Sequence, residues 1–455
     1  MLRFSDAKAI QFTWNHQGEQ AEHMIREAIE KLLGGEDLAR ADVEHVVAEA
    51  LLGRLPRVQF AAFMTAGAMK GLTAEEKAGI ESVKRRYPVE AVRFLDPTAF
   101  EGFVRPESLV AALLLVREGR DLSRREAENA MEDILSGRAD DVRIAEFLTA
   151  LRFKGETVDE VAGFATAMRR HAPRIFGDGH TRADEVLVDT CGTGGDARGT
   201  FNISTATAFV VAGAGVRVAK HGNRSATSLC GSADVLEHFG MRIDLPPASV
   251  GRAIDEVGIG FLFAPAMHSA ARNAAKVRRE LGFRTVFNLL GPLTNPAEAS
   301  AQVVGVYNAG VTELMARTLG ELGVKRAFVV HGADGLDEIS ISGETHVSEL
   351  RDGAVRNYML TPEDFGVKRA PLEAIRGGDG KQNAEIIQRI FGGGEDTPHR
   401  DIVLANASAA LVAAGRAANF LDGVQLAAES IDSGAAREKL EKLIAFSNTG
   451  AETED

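Results

Sequence analysis

The sequence is short of cysteine, proline, aromatic side chains and positive charge, and each shortage excludes a class of protein. Its 455 residues include 2 cysteines, and 13 prolines beside 47 glycines, so neither a disulfide scaffold nor a low-complexity proline-rich chain describes it. Aromatic residues make up 6% of the chain and offer few platforms for stacking single-stranded nucleic acid. The formal net charge of −13 repels nucleic acid and anionic membranes, so we expect neither as a partner.

Long hydrophobic runs and targeting signals are also missing from the sequence. No stretch approaches about 18 uncharged apolar residues, and Met1–Asn15 lacks the basic, apolar and small-residue pattern of a secretion signal. Cys191 and Cys230 lie among glycine, serine and threonine without metal-ligand spacing, as is typical of a reducing cytoplasm. We therefore expect a cytoplasmic protein of two or three domains.

The most extended pattern that the sequence does contain is an internal repeat of helical character. Asp37–Glu76 aligns without gaps on Asp121–Glu160, with about 16 of the 40 aligned positions identical. In the second copy, apolar residues recur at helical spacing, and Ser123 with Glu126 has the pattern of a capping box just before them. We predict two copies of a small helical unit, joined by a linker at Phe94–Glu107, where two prolines interrupt any helical face.

After about residue 173, short β-rich runs alternate with helical segments. Such alternation predicts a mostly parallel sheet flanked by helices, with binding loops at the carboxyl ends of the strands. The expected fold class is therefore α/β, with a small all-helical domain and a duplicated helical N-terminal extension. The predicted limits are 1–100 for the helical extension, 101–178 for the small helical domain and 179–455 for the α/β domain, some of whose helices pack on the small domain.

A glycine-rich loop after the first β-rich run has the composition of a phosphate-binding loop. Three of the four residues of Gly192–Gly195 are glycines, which lets backbone N–H groups approach a polyanion. The hydroxyl-rich segment Thr200–Thr205 then opens a helix, whose N-terminus favours anions. The loop matches neither the ATP-binding P-loop nor the dinucleotide fingerprint. A structural turn explains the glycine run alone equally well, but the polar helix start favours phosphate binding.

Two later loops carry charged side chains at strand ends. Lys220–Ser228 contains Lys220 and Arg224, which with nearby hydroxyls would bind a second anionic group of the same ligand. Asp337 and Glu338 are paired carboxylates, which suit Mg²⁺ because this ion takes one or two carboxylates plus substrate phosphate oxygens. Each charge taken alone is more typical of a solvated surface; the neighbouring phosphate loop favours a binding site.

A cluster of arginines precedes the segment Thr285–Pro296. Arg278, Arg279 and Arg284 include a candidate for binding an organic carboxylate through a bidentate fork. At least two of the three are expected to be surface charges.

Taken together, these segments resemble the anthranilate phosphoribosyltransferases, a family that joins anthranilate to phosphoribosyl pyrophosphate (PRPP) in tryptophan biosynthesis. The likeness extends from about residue 108 to about residue 448, and the residues before about 100 enter it only as the extra helical copy. The segments that carry it are Gly192–Asp196, Asn202–Thr205, Lys220–Ser225, Gly231–Asp234, Asn288–Leu293, Asp337–Glu338 and Gly377–Asp379.

The resemblance implies a Mg²⁺-dependent glycosyltransferase, a pentosyltransferase, that assembles as a homodimer through its helical domain. It also implies a role for each matching residue. Lys220, Asp337 and Glu338 would be catalytic, and Ser204, Asp337 and Glu338 would hold Mg²⁺. Anthranilate would contact Gly192, His221, Asn223 and Arg278. PRPP would be bound by Gly192, Gly195, Asp196, Thr200, Asn202, Ile203, Ser204, Thr205, Lys220 and Ser232.

The chain departs from the family pattern at two positions beside the expected anthranilate pocket. Ser269 and Lys276 stand where the family usually has proline, which leaves open a phosphoribosyltransferase for a different aminobenzoate. A second alternative is a pyrimidine-nucleoside phosphorylase of related fold. Such an enzyme would use free phosphate, and the carboxylate pair would then have no pyrophosphate-bound metal to hold. A non-enzymatic relative that binds nucleic acid is a third alternative, against which the net charge and the carboxylate pair argue.

Overall fold

The computed structural model describes residues 21–87, 107–177, 185–196, 198–225, 229–393 and 397–449. Met1–Asn15, the predicted linker apart from Glu107, and Ala226–Ser228 of the second charged loop lie outside these residues. By their contacts, the described residues form two units. The first runs to Ala167 and includes Ala270–Phe287, and the second contains the remainder.

The first unit consists of helices that repeat one pattern of four. The sixth helix begins at the capping box predicted from the sequence: Ser123 Oγ accepts from the Glu126 N–H, and the Glu126 carboxylate accepts from the Ser123 N–H. The helices are α1 (21–33), α2 (Arg40–Leu51), α3 (Arg57–Lys70), α4 (Ala74–Arg86), α5 (Glu107–Arg117), α6 (Arg124–Leu135), α7 (Asp141–Lys154) and α8 (Val158–His171).

The two copies of the repeat also share their polar contacts. Helices α2 and α6 have 12 residues each and helices α3 and α7 have 14 each, at aligned positions. In each copy a largely buried lysine pairs with two carboxylates, one of which also accepts hydrogen bonds from backbone N–H groups at a helix start. The matched groups are Lys70 with Asp37 and Glu76, and Lys154 with Asp121 and Glu160, at N–O distances from 2.6 to 3.1 Å.

The second unit is built on a mixed sheet of seven strands in the order β3-β2-β1-β4-β5-β6-β7. The strands from β3 to β5 pair in parallel, and β6 and β7 are antiparallel. The direction of chain progress reverses between β1 and β4, which is where open α/β sheets form a binding crevice at the carboxyl ends of the strands. The strands are β1 (Leu187–Gly192), β2 (Arg217–Gly222), β3 (Ile259–Phe263), β4 (Ala301–Gly305), β5 (Arg326–Gly332), β6 (Thr345–Arg351) and β7 (Ala354–Leu360).

Helices flank this sheet, and α9 is the most deeply buried of those that pack directly on it. It packs on β1, β2 and β3 and is covered in turn by α17, α18 and α19, so nearly all of its side chains are buried. The later helices are α9 (Ile203–Gly213), α10 (Ser232–His238), α11 (Pro247–Glu256), α12 (Ala264–Met267), α13 (Arg272–Leu281), α14 (Phe287–Leu293), α15 (Thr312–Glu321), α16 (Gly380–Phe391), α17 (Pro398–Ala413), α18 (Phe420–Asp432) and α19 (Ala435–Thr449).

The predicted fold class is confirmed by this architecture. A largely parallel sheet flanked by helices is present together with a helical bundle and its second copy. None of the helices in the described ranges is long and apolar enough to span a bilayer.

Candidate active site

The glycine-rich loop and the carboxylate loop meet at the carboxyl ends of β1 and β4. The Gly194 N–H donates to Asp337 Oδ2 at 2.9 Å, and the Thr193 N–H donates to the Gly305 carbonyl at 2.9 Å. A Cβ atom on Gly192 would lie 2.8 Å from Asp337 Oδ2, and one on Gly305 would lie 1.5 Å from the Asp337 carbonyl oxygen. Glycine is therefore required at both strand ends because the Asp337 backbone and side chain pass so close.

The start of α9 faces the same carboxylate loop. The Ser204 N–H donates to Glu338 Oε1 at 3.1 Å, so one of the free donors of the helix N-terminus is satisfied by a carboxylate. Asn202 is fixed from both ends, since its Nδ2 donates to the Cys230 carbonyl at 3.2 Å and its Oδ1 accepts from Asn383 Nδ2 at 2.9 Å. The segment thus places the Asn202 and Ser204 side chains at the crevice.

Two residues predicted from the same segment are oriented differently. The side chains of Ile203 and Thr205 are both 1% exposed and lie in the core of the second unit. Thr205 Oγ1 is buried and makes no hydrogen bond within the part of the chain that the structure describes. In this conformation neither side chain reaches the crevice.

Lys220 places a buried ammonium beside the helix start. Its side chain is 3% exposed, and Nζ donates to the Thr190 carbonyl at 2.5 Å and lies 3.4 Å from Ser204 Oγ. The Thr190 hydroxyl in turn donates to the Ser204 carbonyl at 3.0 Å. These contacts hold the cation at a defined position between β1, β2 and α9, next to the Glu338 carboxylate.

The carboxylates of the site crowd one another. Burial and then the negative charge of Asp196 raise the pKa of Asp337 to about 7. Burial and then the charge of Asp337 raise the pKa of Glu338 well above its ordinary value, although Lys220 opposes the shift. The raised pKa values mean that the ionised forms of these carboxyls are disfavoured without a counter-ion, and a bound cation would stabilise them.

The donor set of this position fits Mg²⁺. Within the described ranges, no three His, Cys, Asp or Glu side chains form a complete metal cage. Mg²⁺ does not need one, because it is commonly held by one or two carboxylates while phosphate oxygens and water complete the octahedron. The hard oxygen ligands available here are the carboxylates of Asp337 and Glu338 and the Ser204 hydroxyl.

Asn223 of the second charged loop and Ser232, the first residue of α10, lie at the same end of the sheet. The Asn223 N–H donates to Ser232 Oγ at 3.2 Å, and Ser232 Oγ donates to the Asn223 carbonyl at 3.3 Å. Arg224, expected to bind a second anionic group, instead pairs with Glu237 through both terminal nitrogens at 2.5 and 2.6 Å and with Asp234 at 3.1 Å. The reason for this correction is that α10 carries two carboxylates, Asp234 and Glu237, within reach of Arg224.

The other residues predicted to bind the phosphorylated substrate lie in the glycine-rich loop or shortly after it. Gly194 and Gly195 have positive φ angles of 67° and 80°, which suits glycine. Asp196 Oδ1 accepts from the Arg198 N–H at 3.3 Å. Thr200 forms an isolated antiparallel bridge with Arg376, so it is held at the edge of the crevice.

Two histidines lie close together behind the β2 loop. The rings of His221 and His268 are 5.1 Å apart, and His221 Nδ1 contacts the Gly291 carbonyl at 3.2 Å. Burial lowers the pKa of His221 to about 3 and that of His268 to about 4, so both rings are neutral at neutral pH. His221 Nε2 and His268 Nδ1 are buried without a hydrogen-bond partner among the described residues.

Arg278 belongs to the first unit, on helix α13. Its guanidinium lies 5.1 Å from the ring centroid of Phe287, whereas Arg279 next to it is exposed. Lys276, one of the two departures from the family pattern, has a side chain that is 65% exposed and pairs with Asp141. It is a surface charge tied to α7.

The site also depends on a residue that sequence reasoning missed. Asp189 is fully buried in β1, where it accepts hydrogen bonds from the His221 N–H at 3.1 Å and from Asn295 Nδ2 at 2.8 Å. Asn295 also donates to the Ala219 carbonyl at 2.8 Å. The carboxylate therefore ties β1 to the loop after β2. A charged residue directly after the apolar residues Leu187 and Val188 of the predicted strand was the available signal.

Comparison with known proteins extends these observations. The family model described as "Glycosyl transferase family, a/b domain" matches residues 184–437. The model described as "Glycosyl transferase family, helical bundle domain" matches twice, at residues 26–83 and 110–172. The chain is 58% identical over 338 residues to anthranilate phosphoribosyltransferase of Symbiobacterium thermophilum, which covers 74% of this chain and 97% of that one. It is 54% identical to the Moorella thermoacetica enzyme, covering 74% and 98%.

The chain belongs to the anthranilate phosphoribosyltransferase family. Among solved structures, the Thermus thermophilus enzyme superposes with a TM-score of 0.70 at 46% identity, over 75% of this chain and 99% of that chain. The Saccharomyces cerevisiae enzyme in complex with PRPP and Mg superposes with a TM-score of 0.66 at 28% identity, over 75% and 98%. The family predicted from the loops is thereby confirmed.

Proposed function

We propose that the chain catalyses Mg²⁺-dependent transfer of the phosphoribosyl group from PRPP to anthranilate, giving N-(5-phosphoribosyl)anthranilate and pyrophosphate in tryptophan biosynthesis. The observation that carries this function is the identity of 54 to 58% to anthranilate phosphoribosyltransferases over nearly their whole length. The convergence of the glycine loop, Lys220 and the carboxylate pair within one unit supports it. Solved relatives from Saccharomyces cerevisiae carry PRPP and Mg, or 4-fluoroanthranilate.

PRPP binds at the carboxyl ends of β1 and β4 in this proposal. The glycine-rich loop Gly192–Asp196 and the N-terminus of α9 receive the pyrophosphate, through backbone N–H groups other than those of Thr193 and Gly194, which donate to Gly305 and Asp337. Asn202, Ser204 and Ser232 add side-chain donors from α9 and α10. Thr200, Ile203 and Thr205 belong to the same predicted set; because the Ile203 and Thr205 side chains are buried, they contribute by holding the backbone of the helix start.

Catalysis consists of stabilising the departing pyrophosphate. The bond between ribose C1 and pyrophosphate weakens as the anthranilate amine approaches, so positive charge develops on the ribose and negative charge on the leaving group. Lys220 is held by Thr190 and Ser204 beside that leaving group, and a fixed cation there requires no reorganisation during the reaction.

Asp337 and Glu338, with Ser204, hold Mg²⁺ in this proposal. The ion supplies positive charge to the pyrophosphate oxygens without a proton transfer. Gly192 lets the Asp337 side chain approach β1, and Gly305 lets the Asp337 backbone approach β4, so these glycines set the position of the metal ligands.

The resemblance implies that anthranilate contacts Gly192, His221, Asn223 and Arg278, and we adopt these roles in the proposal. Arg278 recognises the carboxylate, and the neutral rings of His221 and His268 present nitrogen atoms that accept or donate hydrogen bonds without adding charge. A different aminobenzoate is the alternative that Ser269 leaves to be tested.

Fluorescence-monitored consumption of anthranilate with PRPP and Mg²⁺ tests the activity, run beside other aminobenzoates and with chelator as a control. We expect turnover that requires the metal and is fastest with anthranilate. Turnover of another aminobenzoate at a higher kcat/KM would reassign the acceptor, and failure of every acceptor would refute the proposal.

Location, assembly and domain limits stay predictions. The two cysteines are both buried and form no disulfide, which supports a reducing cytoplasm.

The resemblance implies a homodimer through the helical domain, and the mass in solution tests it. The limits 1–100, 101–178 and 179–455 are testable by limited proteolysis, with the fragment ends identified by mass spectrometry.

A further inference from the structure

The two copies of the helical bundle contact each other through equivalent helices. Helix α3 of the N-terminal copy packs directly on helix α7 of the second copy, and these two helices occupy aligned positions of the repeat, Arg57–Lys70 and Asp141–Lys154. Contact between the same element of two related bodies is the arrangement found in an isologous interface, where two identical subunits meet about a two-fold axis.

Burial in both helices agrees with such an interface. All eight residues of Ile144–Leu151 in α7 are buried, and so are eight of the ten residues of Val58–Gly67 in α3. A helix that packed only on its own bundle would bury one stripe, at every third or fourth residue. Burial around the whole helix means that each of the two has a second packed face.

The N-terminal copy also reaches helix α13, which carries Arg278. Helix α13 packs on α6 and α7 of the second copy and on α3 of the first. Gln59 of α3 is 1% exposed, and its Nε2 donates to the Glu280 carbonyl in the last turn of α13 at 2.9 Å. At Gly282, where α13 ends, an added Cβ would lie 3.4 Å from the Arg26 guanidinium.

The Symbiobacterium thermophilum relative has no counterpart of this additional copy. An alignment of 338 residues covers 97% of the Symbiobacterium thermophilum enzyme but 74% of this chain, whereas the helical bundle model matches this chain twice. In a chain with one bundle, the faces that α3 covers here on α7 and α13 are left for another occupant.

We infer that the N-terminal copy is a built-in partner that takes the place of a second subunit on α7 and α13, so that the chain is a monomer in solution. This inference goes beyond the proposed function and competes with the homodimer that the resemblance implies. The two arrangements predict different masses, and neither mass depends on whether the chain is active.

Light scattering coupled to size exclusion, on the full chain over a wide concentration series, provides the first test. We expect 48.6 kDa at every concentration, because the partner is tethered and its contact does not dilute. A particle of twice that mass would overturn the inference.

The second test is amine cross-linking of a mixture of ordinary and ¹⁵N-labelled chains. Cross-linked peptides that join the N-terminal copy to α13 are expected to carry a single isotope, because both peptides come from one chain. Mixed-isotope pairs between these segments would show that the copies pair between chains, and would overturn the inference. The exposed lysines Lys31, Lys77 and Lys276 offer reactive positions on the two sides.

Discussion

At the scale of single residues, the crevice sets one buried ammonium beside two carboxyl groups whose ionised forms are disfavoured by burial. Lys220 lies 3.4 Å from Ser204 Oγ, and the Ser204 N–H is bonded to Glu338. Burial is the main cause that raises the pKa values of both carboxyls, followed by the charge of Asp196 for Asp337 and the charge of Asp337 for Glu338. Such a cluster costs folding free energy when it holds no counter-ion, which is typical of a functional site.

The double variant Asp337→Asn, Glu338→Gln is expected to separate stability from activity. Replacing these two buried acids by neutral amides should leave the melting temperature unchanged or higher, because the cost of burying their ionised forms disappears. Metal-dependent kcat/KM for PRPP should fall about a hundredfold or more. Calorimetry and the anthranilate assay measure the two effects, with the exposed acid variant Glu344→Gln as the control. Normal activity with normal metal dependence would exclude these residues as ligands.

Arg278→Ala is expected to raise the KM for anthranilate about tenfold or more, because a charge-assisted contact with the carboxylate is lost. The KM for PRPP should stay within about twofold, since uniform binding of the other substrate is untouched. The neighbouring exposed Arg279→Ala is the matched control. If the anthranilate KM does not move while the melting temperature falls, Arg278 acts through its stacking on Phe287.

At the scale of elements, the glycines that end β1 and β4 decide how near the carboxylate loop can come. Asp337 contacts the ends of both strands, and a Cβ on Gly305 would lie 1.5 Å from its carbonyl oxygen. The spacing of Gly192–Gly195 predicted a phosphate loop, but Gly305 had no such signal, because its partner is distant in the chain.

Gly305→Ala is therefore expected to displace the Asp337 loop and to destabilise the fold by about 1–3 kcal/mol, as overpacking does. Activity should fall further than stability, since the metal ligands move with the loop. Gly343→Ala is the control, because a Cβ there meets nothing within 4 Å. Denaturant unfolding and the assay check both effects; a Gly305→Ala protein with full activity would contradict this account of the strand end.

Capping boxes and periodicity made the helices predictable. The side chains that pair with residues of these helices could not be predicted in the same way. Ser123 and Glu126 form the predicted box, and the repeat aligns residue for residue with matched helices. The correction at Arg224 has a different origin. Its charge suggested an anion, but the first two turns of α10 present Asp234 and Glu237, and a side chain bonds to the opposite charge nearest to it.

At the scale of the whole molecule, buried neutral histidines make stability depend on pH. The pKa of His221 is lowered to about 3 in the folded chain, whereas an unfolded histidine titrates near 6.5. Between those values the unfolded state binds a proton that the folded state does not, so stability is complete above about pH 6.5 and falls as the pH drops.

Comparing wild type with His221→Gln isolates this contribution. Between pH 7 and pH 5 the wild type should lose about 2 kcal/mol more unfolding free energy than the variant, because the variant lacks the titrating ring. Urea unfolding at the two pH values measures the difference. Other ionisable groups, including the carboxylates of the crevice, are present in both proteins and cancel. Equal losses in the two proteins would show that His221 is protonated in the folded state.

The amino-acid sequence by itself determined what depends on neighbouring residues: the phosphate loop, the capping boxes, the alternation of strands and helices, and the duplicated bundle. These follow from local geometry and hydrogen bonding, which a short stretch of residues sets. Tertiary structure alone decided the partners of Arg224, the buried Asp189–Asn295 contact and the packing of α3 on α7. Those contacts depend on which side chains folding brings into reach, and their energies arise only when water has been removed from between them.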